Sequence, residues 1–242
     1  MRSRNNSFVL IAFLFAIYAV FTSAAQAATV VYVHGFGGAN FKPQFSTNLL
    51  QFFNRQAPGN RVVSYVWDSP AVGLLDILTR DPEDNIWKWH AAKRMADQES
   101  RGLQRLIADL ERTGETYYIV GHSLGTRVVL GAIESNPYQM RNLRGVYFLA
   151  SALPNTASLS QRGRQVLPPG LMINSIGSPD FDQVLKDLYV VAEGRHAPRA
   201  GGSTGFRDRS LFINMPVDLR HTQYHRLAEA IGADCLEREY HR

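Results

Sequence analysis

The sequence predicts an α/β fold, a mostly parallel sheet of six strands with helices on both faces. Three observations lead there. Runs of β-forming residues alternate with longer stretches whose apolar residues recur at helical spacing, and that alternation is what a parallel sheet with crossover helices requires. The run Tyr117-Tyr118-Ile119-Val120 is short, unbroken and rich in aromatic and branched residues, which reads as a buried strand. The chain has 242 residues, 45% hydrophobic and 19% charged, which is ample for one domain with a real core and short for two.

The first stretch stands outside the fold. Arg2 and Arg4 open it, Phe8 to Phe21 is uncharged and apolar, and Ala25-Gln26-Ala27 supplies small residues where a signal peptidase reads. Residues 1–27 therefore read as a cleaved secretory signal and 28–242 as a single exported domain, periplasmic or secreted. The competing reading is an uncleaved membrane anchor, but a spanning helix needs ~20 apolar residues and this segment is short and ends in small ones. Loss of Arg2 and Arg4 would lower the formal charge from +5 to +3. That is too little for the dense basic stripe of a nucleic-acid binder, though mild attraction to an anionic membrane surface stays open. Cys235 is the single cysteine, so no intrachain disulfide forms, and its apolar neighbours predict a buried structural thiol.

The remaining elements follow in order. Thr29 to His34 is a strand that ends in the glycine-rich Gly35-Phe36-Gly37-Gly38. Residues 43–56 carry Phe45, Leu49, Leu50, Phe52 and Phe53 near helical spacing and stop at Pro58-Gly59. Arg61 to Trp67 is the second strand, closed by Asp68-Ser69-Pro70. Residues 70–90 are less regular and read as an insertion near the mouth of the site, either a lid or acyl-chain wall or an ordinary packed helix and turn. A helix follows over 90–112, with Ala92, Met95, Ala96, Leu103, Leu106, Ile107 and Leu110 on one face. Thr113-Gly114 stops it. After the strand at 117–120, Val128, Val129, Ala132 and Ile133 mark another helix, and Arg144 to Ala150 is the fourth strand. Residues 154–169 are expected to lie over the strand ends as a second cap element. Leu171 to Ile176 and Leu211 to Met215 complete the strands. Between them, residues 192–210, with Arg195, Arg199, Arg207 and Arg209 among glycines, read as a flexible solvated loop where an anionic substrate group could be met.

The strand at 117–120 runs straight into Gly121-His122-Ser123-Leu124-Gly125, and a helix starts at once. A strand must turn into a helix at Ser123. Glycines on either side let the two backbones approach while the serine is held strained and outward. At this point the sequence resembles the α/β-hydrolase superfamily, whose nucleophile elbow has this form. The resemblance implies a reduced α/β-hydrolase fold, since the antiparallel hairpin usual before the first core strand is absent. It also implies an oxyanion hole made by the N–H of the residue after the nucleophile, Leu124, and by one N–H of the His34-Gly35-Phe36 segment, that of Phe36.

A serine hydroxyl needs a base, and the base needs a carboxylate to hold its tautomer. The resemblance implies the chain order Ser, Asp or Glu, His. After the fifth strand, Gly177-Ser178-Pro179-Asp180-Phe181-Asp182 offers two carboxylates; Asp182 is favoured, with Asp180 the alternative. The one not used would cap or charge a helix start. His221, on the loop before the last helix, is the expected base. His225 is its rival, one helical turn on; His34 is read as structural and His122 as a packing neighbour of the serine. A zinc site at His221 and His225 would need a glutamate where Thr222 stands. No metal or cofactor is called for.

These residues predict a serine hydrolase of esterase or lipase type acting on a small acyl ester. Acyl transfer or thioester hydrolysis on the same triad stays open, as does a non-catalytic envelope protein that uses the scaffold for binding.

Overall fold

The computed structural model describes residues 27–36, 44–68 and 82–240. Its six strands are β1 (Thr29–Val33), β2 (Arg61–Tyr65), β3 (Tyr117–His122), β4 (Leu143–Leu149), β5 (Ile173–Gly177) and β6 (Phe212–Pro216). All are parallel and lie in the order β2-β1-β3-β4-β5-β6. The helices are α1 (Gln44–Gln56), α2 (Pro82–Thr113), α3 (Gly125–Glu134), α4 (Gln161–Val166), α5 (Tyr189–Glu193), α6 (Gly201–Thr204) and α7 (Ala228–Tyr240).

The inner strands are sealed and the edges are not. Every residue of β1 is buried, and β3 is buried to Gly121, whereas β2 and β6 keep exposed positions. Strands covered on both faces must be apolar along their whole length, which is why β1 and β3 read as continuous runs. Successive side chains of a strand point to opposite faces. Tyr117 Oη donates to Glu111 on α2 at 2.9 Å, while the Oη of Tyr118 lies 3.0 Å from the Cys235 carbonyl oxygen on α7. Helices α2 and α7 therefore cover opposite faces. Cys235 is buried, and burial pushes its thiol pKa up, as suits a packing residue.

Three expectations change. Residues 69–81 lie outside the described residues, while 82–89 take the packed-helix reading and not that of a lid: they are the first turns of α2, which starts eight residues before the expected helix. Pro82 opens the helix, and proline is tolerated in a first helical turn, where its missing N–H has no partner to lose. Trp89 is consequently buried, and its indole N–H donates to Glu193 at 2.7 Å. Burial alone would raise the Glu193 pKa, but this bond and that from Lys93 outweigh it, and the pKa is lowered.

Residues 154–169 divide: Pro154 and Asn155 pair with Ala200 and Arg199, and the later part lies elsewhere. Helix α4 packs at the far end of α3, where the Ser160 N–H donates to Glu134 at 2.9 Å and the Met140 N–H to the Val166 carbonyl at 2.7 Å. Ser123 precedes the other end of α3, about 15 Å away for a ten-residue helix.

Residues 192–210 are not a solvated loop either. Ala200, Gly201, Gly202, Ser203 and Phe206 are buried, and the Phe206 ring stacks on Phe212 with centroids 3.9 Å apart. The small residues are there because the backbone lies against the strand ends: a Cβ at Gly202 would lie 2.6 Å from the Ala150 carbonyl carbon. Arg195, Arg199, Arg207 and Arg209 are exposed on the outside of this packed segment.

Candidate active site

Parallel strands all end at one edge of the sheet. In the order β2-β1-β3, the chain leaves β1 in one direction to make β2 and returns on its other side to make β3, and the loops after β1 and β3 part at that switch point. Such crevices at the carboxyl ends of strands are where open α/β sheets bind ligands. The loop after β1 carries Gly35 and Phe36; the turn after β3 carries Ser123 and Leu124.

Ser123 has φ +53°, in the left-handed region. A residue with a Cβ pays of order 1–3 kcal/mol to stay there and does so only where its surroundings over-determine it. Here they do. The Ser123 N–H donates to the Leu149 carbonyl at 2.9 Å. The Ser123 carbonyl accepts from the Thr126 N–H at 3.2 Å, the Ala152 N–H at 3.3 Å and the Thr126 hydroxyl at 2.6 Å.

The flanking glycines are required by contact. A Cβ at Gly121 would lie 3.1 Å from the Thr126 Cα, and one at Gly125 would run into the carbonyl oxygens of Val33 and His34. Gly125 thus lets α3 start against the end of β1, which brings the two loops together. At Gly35 a Cβ would stand 2.7 Å from that of Ser123. Phe36 and its N–H follow directly. Leu124 precedes the first residue of α3, and amides at a helix start have no partner within the helix. The Phe36 ring is half-buried against Val184 and Leu188 and meets Trp89 edge-on at 6.4 Å, an apolar wall beside the loop.

Of the two carboxylates after β5, Asp182 and not Asp180 meets the histidine. His221 Nδ1 lies 2.9 Å from Asp182 Oδ2 and 3.1 Å from Oδ1. Asp182 is wholly buried and His221 nearly so. The carboxylate also accepts the Leu185 N–H at 3.1 Å, capping the π-helical turn Val184–Leu188. The capping role reserved for the unused acid thus belongs to the one that holds the histidine. Asp180 is exposed, and its carbonyl accepts from Lys186 at 3.3 Å.

His122 joins the halves. Its ring centroid is 4.9 Å from that of His221, and its Nε2 lies 3.2 Å from the His221 carbonyl oxygen, so Nε2 carries the proton and donates. One edge of the ring stays accessible, yet burial, then repulsion from a charged His221, pushes its pKa down to about 3. His122 is neutral at any ordinary pH. Ser123 is the next residue along the chain; among the described residues the His221 ring is hydrogen-bonded to Asp182 and no hydrogen bond links it to the Ser123 hydroxyl.

His34 and His225 bond to backbone atoms instead. His34 Nε2 faces the Trp67 N–H at 3.1 Å and must accept, so Nδ1 holds the proton and donates to the Gly35 carbonyl at 2.7 Å. The ring also stacks on Trp67, and burial lowers its pKa. His225 lies on the 3-10 turn Tyr224–Leu227, with its Nδ1 3.0 Å from the Thr222 carbonyl oxygen. Thr126, Ala152 and their neighbours, which hold the Ser123 carbonyl, escaped the sequence reading. A threonine three residues after the serine is a local signal; the loop after β4 carries none.

No protein-family model matches the chain, and no curated protein matches it. Among solved structures it is similar to a poly(3-hydroxybutyrate) depolymerase from Bordetella parapertussis, at 13% identity, covering 89% of this chain and 80% of that one, with a TM-score of 0.48. It is similar to an esterase from Pyrococcus furiosus at 10% identity, with coverage of 88% and 82% and a TM-score of 0.46. It is also similar to the catalytic core of an acetyl xylan esterase from Trichoderma reesei at 11% identity, with coverage of 89% and 98% and a TM-score of 0.44.

Proposed function

We propose that this protein is an exported serine hydrolase that cleaves carboxylic esters through Ser123, His221 and Asp182. The observation that carries the reading is the buried His221–Asp182 pair at 2.9 Å, set at the same sheet edge as a serine with φ +53°. With Nδ1–H donated to Asp182, neutral His221 has its lone pair on Nε2, the form a general base needs. Ser123 Oγ attacks the acyl carbonyl as its proton passes to Nε2. The negative oxygen forms within reach of the Leu124 and Phe36 N–H groups, which supply an oxyanion hole. His221 then gives its proton to the leaving alcohol, leaving an acyl-serine. Water attacks that ester, loses its proton to Nε2, and releases the acid and free Ser123.

The acyl side of the substrate is read from what surrounds the site. Phe36, Val184 and Leu188 are apolar, and Val66, Phe181 and Met215 are exposed at or near the same strand ends. This rim fits an apolar acyl ester or contact with a lipid surface. Export rests on residues 1–27, of which 1–26 lie outside the described residues; no described helix is long and apolar enough to cross a membrane. The mature protein is expected to start at Ala28, which terminal sequencing of the exported product checks.

A fluorophosphonate probe tests the reaction class. The wild-type protein should be labelled at Ser123 and should hydrolyse p-nitrophenyl esters, and Ser123→Ala should lose both. An unlabelled, inactive wild type would favour the binding scaffold. Rates across acyl chains of increasing length, with and without detergent, read the substrate; dependence of product on an added alcohol would mark acyl transfer.

A further inference from the structure

The described chain has two non-glycine residues at positive φ, Ser123 at +53° and Ala150 at +47°, and they end the adjacent strands β3 and β4. A chain of hydroxyls joins the turns that follow them. Thr126 Oγ1 donates to the Ser123 carbonyl at 2.6 Å. A threonine hydroxyl has one proton, so at its 2.9 Å contact with Ser151 Oγ it must accept, and Ser151 must donate. Ser151 Oγ in turn accepts the Leu153 N–H at 3.3 Å. The direction of every proton is therefore fixed, from Leu153 N–H through Ser151 and Thr126 to the Ser123 carbonyl.

All of it is dry. Thr126 and Ser151 have no accessible surface, and Leu153 and Ser123 are 4% exposed. Hydrogen bonds arranged donor to acceptor in a low-dielectric setting polarise one another, and an unpaired member would be costly. The far end is anchored too: the Gly201 N–H donates to the Leu153 carbonyl at 2.7 Å and the Gly202 N–H to the Ser151 carbonyl at 2.9 Å. Helix α6, which begins at Gly201, is tied by these bonds to the turn that carries the nucleophile candidate.

We infer that Thr126 and Ser151 are positioning residues, which hold the Ser123 backbone in its strained conformation so that its hydroxyl and the Leu124 N–H keep their aim. The inference rests on the serine-hydrolase reading above. A misplacement of about 1 Å can cost ~100-fold in rate, so a partial loosening of the turn should be readily visible.

The experiment compares Thr126→Val, which keeps the shape and removes the donor, with Thr126→Ser, which restores it, and with Ser151→Ala. Thr126→Val and Ser151→Ala should lower kcat for a p-nitrophenyl ester and the fluorophosphonate labelling rate by about ten-fold. KM and the apparent pKa of the pH–rate profile should stay unchanged, because pocket and base are untouched. Thr126→Ser should return to within about two-fold of wild type. If wild type is labelled at Ser123 and the two variants label at its rate, the positioning role is wrong; if wild type is not labelled, the reading beneath it is wrong instead. A purely structural role would lower the melting temperature and leave the rate intact well below it. Should Thr126→Val fail to fold, Ser151→Ala and Ser151→Cys, each a one-atom change, give the same decision.

Discussion

The two halves of the candidate site are built in opposite ways. The elbow half, Gly121 to Thr126, is local: one strand, one turn and one helix, with two glycines admitting backbone contacts that no side chain would permit. The other half joins Asp182 and His221, 39 positions apart, across two loops that meet only because β5 and β6 are neighbours in the sheet. A local device leaves its mark in consecutive residues. A long-range pair leaves two marks that nothing in the sequence ties together.

The largest expected effect asks whether that long-range pair behaves as one unit. Asp182→Asn should lower kcat by about 10⁴, because an amide can donate to Nδ1 and stabilise the wrong imidazole tautomer. Asp180→Asn should stay within about two-fold, since its side chain is exposed and away from His221. Steady-state kinetics on one ester decide it, and equal losses in both variants would break the distinction drawn between the two carboxylates.

The local half makes the opposite prediction, that stability and activity fail together. Gly125→Ala adds a Cβ against the Val33 and His34 carbonyls at the junction of β1 and α3. Overpacking of this kind costs about 1–3 kcal/mol and moves the backbone. Urea unfolding should show a lower midpoint, and ester hydrolysis of the folded fraction should fall as well. Asp182→Asn, by contrast, should lose far more activity than its change in urea midpoint would suggest.

How much was legible follows the same division. The elbow, the order of strands and helices and the histidine before the last helix could all be read, since each rests on a few consecutive residues. The sequence favours Asp182 over Asp180 only weakly, because both sit in one loop and the fold decides which faces inward. Residues 192–210 misled for a related reason. Gly201 and Gly202 resemble loop glycines in a string of letters, but a Cβ at Gly201 would run into the Phe206 ring and one at Gly202 into the backbone after β4. Ser151 gave no signal at all, as its partners stand 25 positions away and on its own loop.

His122 belongs to both halves, next to the serine in sequence and against His221 in space, and it offers the mildest test. Its pKa is lowered to about 3 in the folded protein against an ordinary 6.5. Between those values the unfolded chain binds more protons, so stability rises with pH there. The stabilisation is complete above about pH 6.5 and is lost as pH falls toward 3, with a slope of up to ~1.4 kcal/mol per pH unit. His34, also lowered by burial, contributes in the same direction. His122→Asn keeps a donor for the His221 carbonyl and removes the titration. Its free energy of unfolding should therefore fall less steeply than that of wild type between pH 6 and 4, whatever its value at neutral pH. An unchanged slope would mean that the contact between the two imidazoles leaves His122 free to take a proton, and the link between the halves would lie elsewhere.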